Sequence, residues 1–109
     1  MKKLVGKYFW IKQEDEGYRI GLTNRGQDDL GTISFLSLPR VGEELEVNES
    51  FADVESDKTV TELLTPLAGT VAAINEEALD DPTVANAKNE DFAWLMVLNG
   101  VDKKDFEAL

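Results

Sequence analysis

Lys58 is the residue whose type and setting most clearly favour chemistry in this chain. It lies in the polar stretch 56–59, between the strand-like segments 51–55 and 60–64, which carry the apolar residues of the two predicted arms. Ser and Asp side chains bond nearby backbone groups and favour tight turns. The pattern therefore predicts a β-hairpin with Lys58 at or beside its tip. A lysine there is open to covalent modification, although most exposed turn lysines are simply solvated.

Two similar segments flank this hairpin at nearly equal distances. Residues 42–49 and 69–76 both read Gly, four residues, a β-branched apolar residue, Asn and Glu. Glycine can open a strand after a turn, and Asn tolerates the left-handed backbone that closes one. The repeat predicts a pseudo-two-fold sandwich around the lysine hairpin, with a chance match as the alternative.

Composition restricts the class of protein. The 109 residues suit one domain, 1–109, and the 42% hydrophobic content predicts a folded core. The net charge of −11 disfavours binding to nucleic acid or to anionic membranes. Cysteine and histidine are both absent, which removes disulfides, thiol chemistry and the commonest general base. Without a signal peptide or membrane-spanning run, we expect a soluble cytoplasmic protein.

The rest of the chain reads as many short strands separated by turns. Thr23 or Asn24 is expected to cap a short helix that stops at Gly31, and Asp81 and Asp102 to cap two more. Ile33, Phe35 and Leu36 on one strand are predicted to belong to the core. Trp94, Met96 and Leu98 are predicted to share one face of the last strand, with Trp94 as a core or sheet-face residue. Strands are predicted at 7–12, 18–22, 32–38, 45–47, 51–56, 59–64, 70–74 and 92–98. This pattern indicates an all-β sandwich or flattened barrel.

Several motifs occur in the order seen in the biotinyl/lipoyl carrier domains, most closely the H protein family of the glycine cleavage system. The chain resembles that family at 20–23, 27–31, 38–42, 55–59, 65–71, 74–76, 80–82 and 94–95. The resemblance implies a flattened β-barrel/sandwich hybrid with a few short peripheral helices. It also implies a non-catalytic carrier with lipoate joined by an amide bond to Lys58, and a lipoate ligase or lipoyltransferase as partner. The cofactor would then supply the chemistry on a mobile tether.

The residues around Lys58 refine this expectation. Ser56, Asp57 and Thr59 are polar, whereas biotin carriers typically place methionine on both sides of the lysine, so lipoate is favoured. Asp53, Glu55 and Asp57 alternate along the first hairpin arm. They form either a recognition stripe for a basic surface or the polar face of an edge strand. Glu55 belongs to the family motif and is the candidate for ligase recognition.

The segment 27–29 carries a second candidate site on the short predicted helix. The chain resembles a subgroup of short H-like proteins associated with macrodomain hydrolases and a sirtuin-type ADP-ribosyltransferase, which links lipoate to redox defence. The resemblance implies that an acidic residue here could accept ADP-ribose, and Asp28 is the candidate. The alternative is a helix that only covers one end of the sandwich.

The leading hypothesis is an H-like relay or holder of lipoate. The alternative is the glycine cleavage H protein, which shuttles an aminomethyl group between glycine decarboxylase and aminomethyltransferase. Two departures bear on this alternative: residues 8–10 read Tyr-Phe-Trp where the family has His-Glu-Trp, and 87–93 lacks the usual Pro-Tyr-Gly segment. A small hydrolase using paired carboxylates is disfavoured, because the chain has no histidine.

Overall fold

Two antiparallel sheets form the framework of the computed structural model, which describes residues 2–15 and 17–109. The strands are β1 (Lys2–Val5), β2 (Phe9–Glu14), β3 (Gly17–Leu22), β4 (Ile33–Ser37), β5 (Glu44–Leu45), β6 (Ser50–Ser56), β7 (Val60–Leu64), β8 (Gly69–Ile74) and β9 (Trp94–Asn99). One sheet has the order β1-β2-β3-β9-β8-β5, and the other has the order β4-β6-β7. The predicted all-β sandwich is confirmed.

Short helices lie at the periphery, as predicted. They are α1 (Asn24–Leu30), α2 (Glu76–Asp80), α3 (Lys103–Glu107) and two 3₁₀ helices at Pro82–Asn86 and Glu90–Ala93. Thr23 caps α1 by accepting the Gly26 N–H at 2.9 Å, and Asp81 and Asp102 cap the segments that follow them. These short polar side chains satisfy amides that have no partner inside the helix. Among the described residues, no helix has the length and apolarity needed to span a membrane.

The hydrophobic core draws its side chains from both sheets. Its largest fully buried members are Trp10, Phe106, Ile11, Ile20, Leu22, Leu30, Ile33, Leu45, Leu67, Leu95, Met96 and Leu98. Phe106 anchors α3 against the Tyr18 ring at a centroid distance of 4.8 Å. Burial of the alternating strand residues supplies the main stabilisation of such a sandwich.

The prediction that Phe35 belongs to the core is wrong. Its side chain is 48% exposed, whereas Ile33 and Leu36 on the same strand are buried. A register irregularity lies between Ile33 and Phe35 where β4 pairs with β6. An extra residue at a bulge reverses the side that the next side chain faces.

The prediction that Trp94 shares a face with Met96 and Leu98 is also wrong. Met96 and Leu98 are fully buried, whereas Trp94 stacks on the Arg19 guanidinium at 4.3 Å on the outer side of the larger sheet. The register shifts between Ile20 and Gly21, opposite this part of β9. The strand also begins at Trp94, because the two preceding residues form part of a 3₁₀ helix.

The observed strands differ from the predicted ones in two further places. Val47 lies outside β5 and is 48% exposed, and the neighbouring Asn48 adopts the left-handed backbone with φ of 70°. At the N-terminus, β1 pairs with β2 although the basic composition of 2–7 gave no strand signal. Lys3 fixes this end by donating to the carbonyls of Phe106 and Glu107 at 2.9 and 3.0 Å.

Candidate functional site

Lys58 occupies the turn between β6 and β7, as the sequence predicts. Ser56 organises this turn: its backbone N–H donates to the Thr59 carbonyl at 2.9 Å. Its hydroxyl oxygen accepts the backbone N–H groups of Lys58 and Thr59, both at 3.1 Å. A side-chain oxygen that binds two nearby amides stabilises a tight turn. The backbone on both sides of the lysine is therefore held while its side chain remains exposed.

The same turn is fastened to the segment that follows α1. The Ser56 hydroxyl donates to the Leu30 carbonyl. Asp57 makes a reciprocal pair with Thr32: its N–H donates to the Thr32 carbonyl at 3.2 Å, and its carboxylate accepts the Thr32 N–H at 2.8 Å. These bonds join parts of the chain about 25 residues apart in sequence, so the position of the lysine is fixed relative to α1.

The Lys58 ammonium donates to the backbone carbonyl of Asp28 at 3.0 Å. This carbonyl lies near the C-terminal end of α1, where the helix presents partial negative charge. The contact brings together two residues that the sequence singled out separately. A single hydrogen bond to a carbonyl on an exposed amine is readily exchanged for water. The amine is therefore accessible to an acylating enzyme.

Glycine is required where α1 turns towards the lysine. Gly31 has φ of 90° and ψ of −167°, a backbone conformation essentially restricted to glycine. A Cβ atom at this position would lie 2.4 Å from the Asp57 carboxylate oxygen and 3.1 Å from Cγ and Cδ of Lys58. The sequence predicted Gly31 only as a helix stop, and its close approach to the lysine turn had no local signal.

Asn86 is a site residue that the sequence analysis missed. Its amide nitrogen donates to the Gly31 carbonyl at 2.9 Å, and its amide oxygen accepts the Ile33 N–H at 2.8 Å. It therefore clamps the connection between α1 and β4 from a segment more than 50 residues away. In the sequence, Asn86 lies outside the family motifs and outside every predicted strand.

An open, polar cleft of about 320 Å³ lies beside the lysine. Its lining residues are Gln27, Asp28, Gly31, Thr32, Asp57, Lys58, Thr83 and Asn86. The polar partner of Lys58 Nζ in this cleft is a backbone carbonyl, and the amine faces solvent. An unburied primary amine on a rigid turn suits covalent attachment of a carboxylic acid through an amide bond.

A network on α1 fixes the charge next to this cleft. Tyr8 donates its hydroxyl to the Asp29 carboxylate at 2.5 Å, and Lys7 Nζ lies 3.3 Å from the same group. The hydrogen bond from Tyr8 lowers the pKa of Asp29, with further contributions from Lys7 and Lys58. The same hydrogen bond raises the pKa of Tyr8. The end of α1 therefore keeps an ionised carboxylate near the lysine.

Glu55 lies on the outer face of the smaller sheet, three residues before Lys58. Its register partners are Phe35 on β4 and Val60 on β7. All three side chains are exposed. Glu55 is therefore available to a partner that approaches the lysine turn, whereas Asp28 approaches the lysine from α1.

The comparison with known proteins identifies the family. The profile described as "Glycine cleavage H-protein" matches residues 2–109. This chain belongs to the glycine cleavage H-protein family. A protein of Oceanobacillus iheyensis named "Glycine cleavage system H protein" is 46% identical over 100 residues, which cover 92% of this chain and 79% of the relative. A Bacillus subtilis protein with the same name is 42% identical over 104 residues, which cover 95% and 82%.

A solved structure supports the same assignment. The glycine cleavage system H protein from Mycobacterium marinum superposes with a TM-score of 0.81 at 31% identity, covering 90% of this chain and 82% of that one. The predicted family and lipoyl-domain-like fold are confirmed. H proteins are non-catalytic carriers with lipoate attached covalently to a lysine, so lipoate is the cofactor that the family implies. The exposed amine in the β6–β7 turn fits this group.

Proposed function

We propose that this chain is an H protein that carries lipoate on Lys58 and transports the aminomethyl group in glycine cleavage. The observation that carries the proposal is the exposed Lys58 amine, presented on a fastened hairpin turn in a chain of this family. Relatives at 42–46% identity bear the name glycine cleavage system H protein. This likeness favours the glycine cleavage role over the lipoate relay role that the sequence placed first.

Attachment requires Lys58 to act as a nucleophile. The ammonium gives a proton to a base or to water, and the nitrogen lone pair attacks the carbonyl carbon of an ATP-activated lipoyl anhydride. A C–N amide bond forms while the C–O bond to the phosphate-bearing group breaks, and that group leaves with the electron pair. The amide nitrogen is uncharged and keeps one N–H, so the charge-assisted hydrogen bond from the ammonium to the Asp28 carbonyl is lost.

The residues of the chain then position the modified side chain. Attached lipoate supplies a dithiolane that accepts electrons and the one-carbon unit. Ser56 and Asp57 hold the turn, so the flexible part begins at the lysine stem. A tether that starts from a fixed point raises the local concentration of its end at any enzyme that binds the domain. The protein thus contributes presentation, and the enzymes contribute catalysis.

The departures near the N-terminus remain compatible with this role. Tyr8 stands where the family motif begins with histidine, and its hydroxyl bonds to Asp29 on α1. Phe9 and Trp10 are buried. These side chains therefore have structural contacts of their own, and the lysine turn does not depend on the missing histidine.

The proposal is tested in two steps with the full chain. Incubation with lipoate, ATP and a lipoate ligase is expected to add one lipoyl mass in intact-mass spectrometry. The lipoylated chain is then mixed with glycine decarboxylase and labelled glycine. We expect CO₂ release stoichiometric with the lipoylated carrier, and transfer of the one-carbon unit once aminomethyltransferase and tetrahydrofolate are added. Lipoylation without any CO₂ release would refute the glycine cleavage role, with the unlipoylated chain as the blank.

A second candidate function is the lipoate relay with ADP-ribosylation at Asp28. The observation in its favour is that Asp28 is exposed on α1 and its carbonyl contacts the Lys58 amine. A carboxylate oxygen of Asp28 would attack the ribose carbon of NAD that bears nicotinamide. A C–O bond would form, and nicotinamide would leave with the electrons of the broken C–N bond. The bulky dianionic group would then sit beside the lipoyl site and could gate access to it in a redox response.

This second role predicts modification of one carboxylate and not of its neighbour. With NAD and a sirtuin-type ADP-ribosyltransferase, native chain and Asp29→Asn are expected to gain one ADP-ribosyl mass, and Asp28→Asn none. Asp29 is the matched control, because its carboxylate is engaged by Tyr8 and Lys7. Treatment with a macrodomain hydrolase should restore the starting mass. Equal modification of Asp28→Asn and native chain would exclude Asp28 as the acceptor.

A further inference from the structure

Three exposed side chains form a row across the smaller sheet next to the lysine turn. Glu55 on β6 lies opposite Phe35 on β4 and opposite Val60 on β7. Directly paired residues of antiparallel strands place their side chains on the same face, about 5 Å apart. Phe35 is 48% exposed and Val60 is 77% exposed. The rung closest to Lys58 therefore has a carboxylate in the centre and one apolar side chain on each side of it.

The next rung of the same face is polar and acidic. Asp53 on β6 is paired with Ser37 on β4 and with Glu62 on β7. Asp53 and Glu62 are exposed, and Asp53 holds the Ser37 hydroxyl at 3.3 Å. Lys58 carries the one positive charge in β4, in β6, in β7 and in the turn between the latter two. Acylation of the lysine leaves carboxylates as the charged groups of these three strands and the turn.

The arrangement is more specific than scattered surface residues. Single exposed apolar side chains are common and need no explanation. Here, however, Phe35 and Val60 occupy the outer strands at one register position, and the inner face of the same strands is buried at Leu36 and Leu63. An apolar pair bordered by carboxylates complements an apolar depression rimmed by Lys or Arg side chains.

We propose that this surface, formed by Phe35, Asp53, Glu55, Val60 and Glu62 and called the outer docking face, binds the enzyme that attaches lipoate. The inference rests on the proposed modification of Lys58. The attaching enzyme must take the Nζ atom itself into its active site, so its surface must meet the rung beside the turn. Enzymes that act on the finished carrier bind the domain but react at the far end of a long tether, so the rung beside the turn need not lie in their contact surface.

Steady-state lipoylation kinetics test the apolar part of the outer docking face. The double variant Phe35→Thr/Val60→Thr places a β-branched residue, which favours strands, at both positions and removes the apolar surface. With lipoate, ATP and a purified lipoate ligase, we expect the KM for the carrier to rise about tenfold, the effect of losing one modest interface anchor. The variant should still gain one lipoyl mass at long incubation, because Lys58 is unchanged.

The matched control is Val41→Thr/Phe92→Thr. Val41 is 62% exposed and Phe92 is 64% exposed, and both lie outside β4, β6 and β7. This pair removes similar apolar surface elsewhere, so its KM is expected to stay within about twofold of native. Thermal unfolding of both double variants checks that the fold is kept.

The variant Glu62→Gln tests the acidic part of the outer docking face. Its control is Glu44→Gln, because Glu44 is an exposed carboxylate at the edge of the other sheet. Glu62→Gln is expected to lower kcat/KM at low salt and to weaken its dependence on ionic strength, because rim charges act on association.

Native chain that gains no lipoyl mass would refute the lipoylation proposal itself. Native chain that is lipoylated, with an unchanged KM in Phe35→Thr/Val60→Thr, would overturn the outer docking face alone.

Discussion

Replacing Lys58 with arginine is expected to abolish lipoylation completely while leaving the fold intact. The guanidinium is permanently protonated and has no free lone pair with which to attack an acyl carbon. It can still donate to the Asp28 carbonyl, which now accepts the lysine ammonium at 3.0 Å. The turn itself is held by Ser56 and Asp57, so removing the amine does not loosen it. Intact-mass spectrometry after exhaustive incubation measures the loss.

The control for this variant is Lys88→Arg. Lys88 is exposed in the polar segment between the two 3₁₀ helices. The Lys88→Arg variant should accept one lipoyl mass at the native rate, because Lys58 is unchanged. Thermal unfolding of both variants should match that of the native chain. A lipoyl mass on Lys58→Arg would place the modification on another lysine and remove the basis of the proposed site.

The local parts of this structure could be predicted because they depend on neighbouring residues. The hairpin around Lys58 follows from polar turn formers between two apolar segments. The caps at Thr23, Asp81 and Asp102 follow from the same short-range chemistry, in which a side-chain oxygen accepts an amide two or three residues ahead. The family motifs added the cofactor, which the residue pattern alone left open.

The errors occur where the register of a strand shifts. Alternation along β4 placed Phe35 in the core, but the irregularity after Ile33 turns its side chain outward. Trp94 was misplaced for the same reason, opposite the shift in β3. A bulge is set by pairing between strands that are distant in sequence, so periodicity within one strand does not reveal it. The exposed Phe35 is the residue on which the outer docking face depends.

The supports of the lysine turn are non-local, and no pattern along the chain predicted them. Lys58 contacts Asp28 across 30 residues, and Asn86 reaches Gly31 across 55. Each contact depends on how α1 and the first 3₁₀ helix lie against the smaller sheet. The local sequence pattern therefore predicted the reactive residue, Lys58. The groups that hold it in place come together only in the tertiary structure.

Gly31→Ala is expected to destabilise the chain and to slow lipoylation. The ψ of −167° at φ of 90° disfavours any Cβ-bearing residue, at a cost of about 1–3 kcal/mol. The new Cβ would also displace the Asp57 carboxylate, 2.4 Å away, from the Thr32 amide that it accepts. Losing that hydrogen bond adds about 1–2 kcal/mol. We expect a total loss of about 2–5 kcal/mol in the free energy of unfolding, measured by urea denaturation at unchanged m.

Gly42→Ala separates the two causes, because Gly42 also has positive φ, 94°, but a Cβ there meets no atom within 4 Å. Backbone strain alone is expected to cost about 1–2 kcal/mol in this variant. Its kcat/KM for lipoylation should stay native. For Gly31→Ala, kcat/KM should fall even where the chain remains folded, since the turn that carries Lys58 is displaced. The contrary outcome is that both variants lose the same free energy of unfolding and both keep native lipoylation kinetics. That outcome would show that the packing of Gly31 against the lysine turn has no role in presenting the amine.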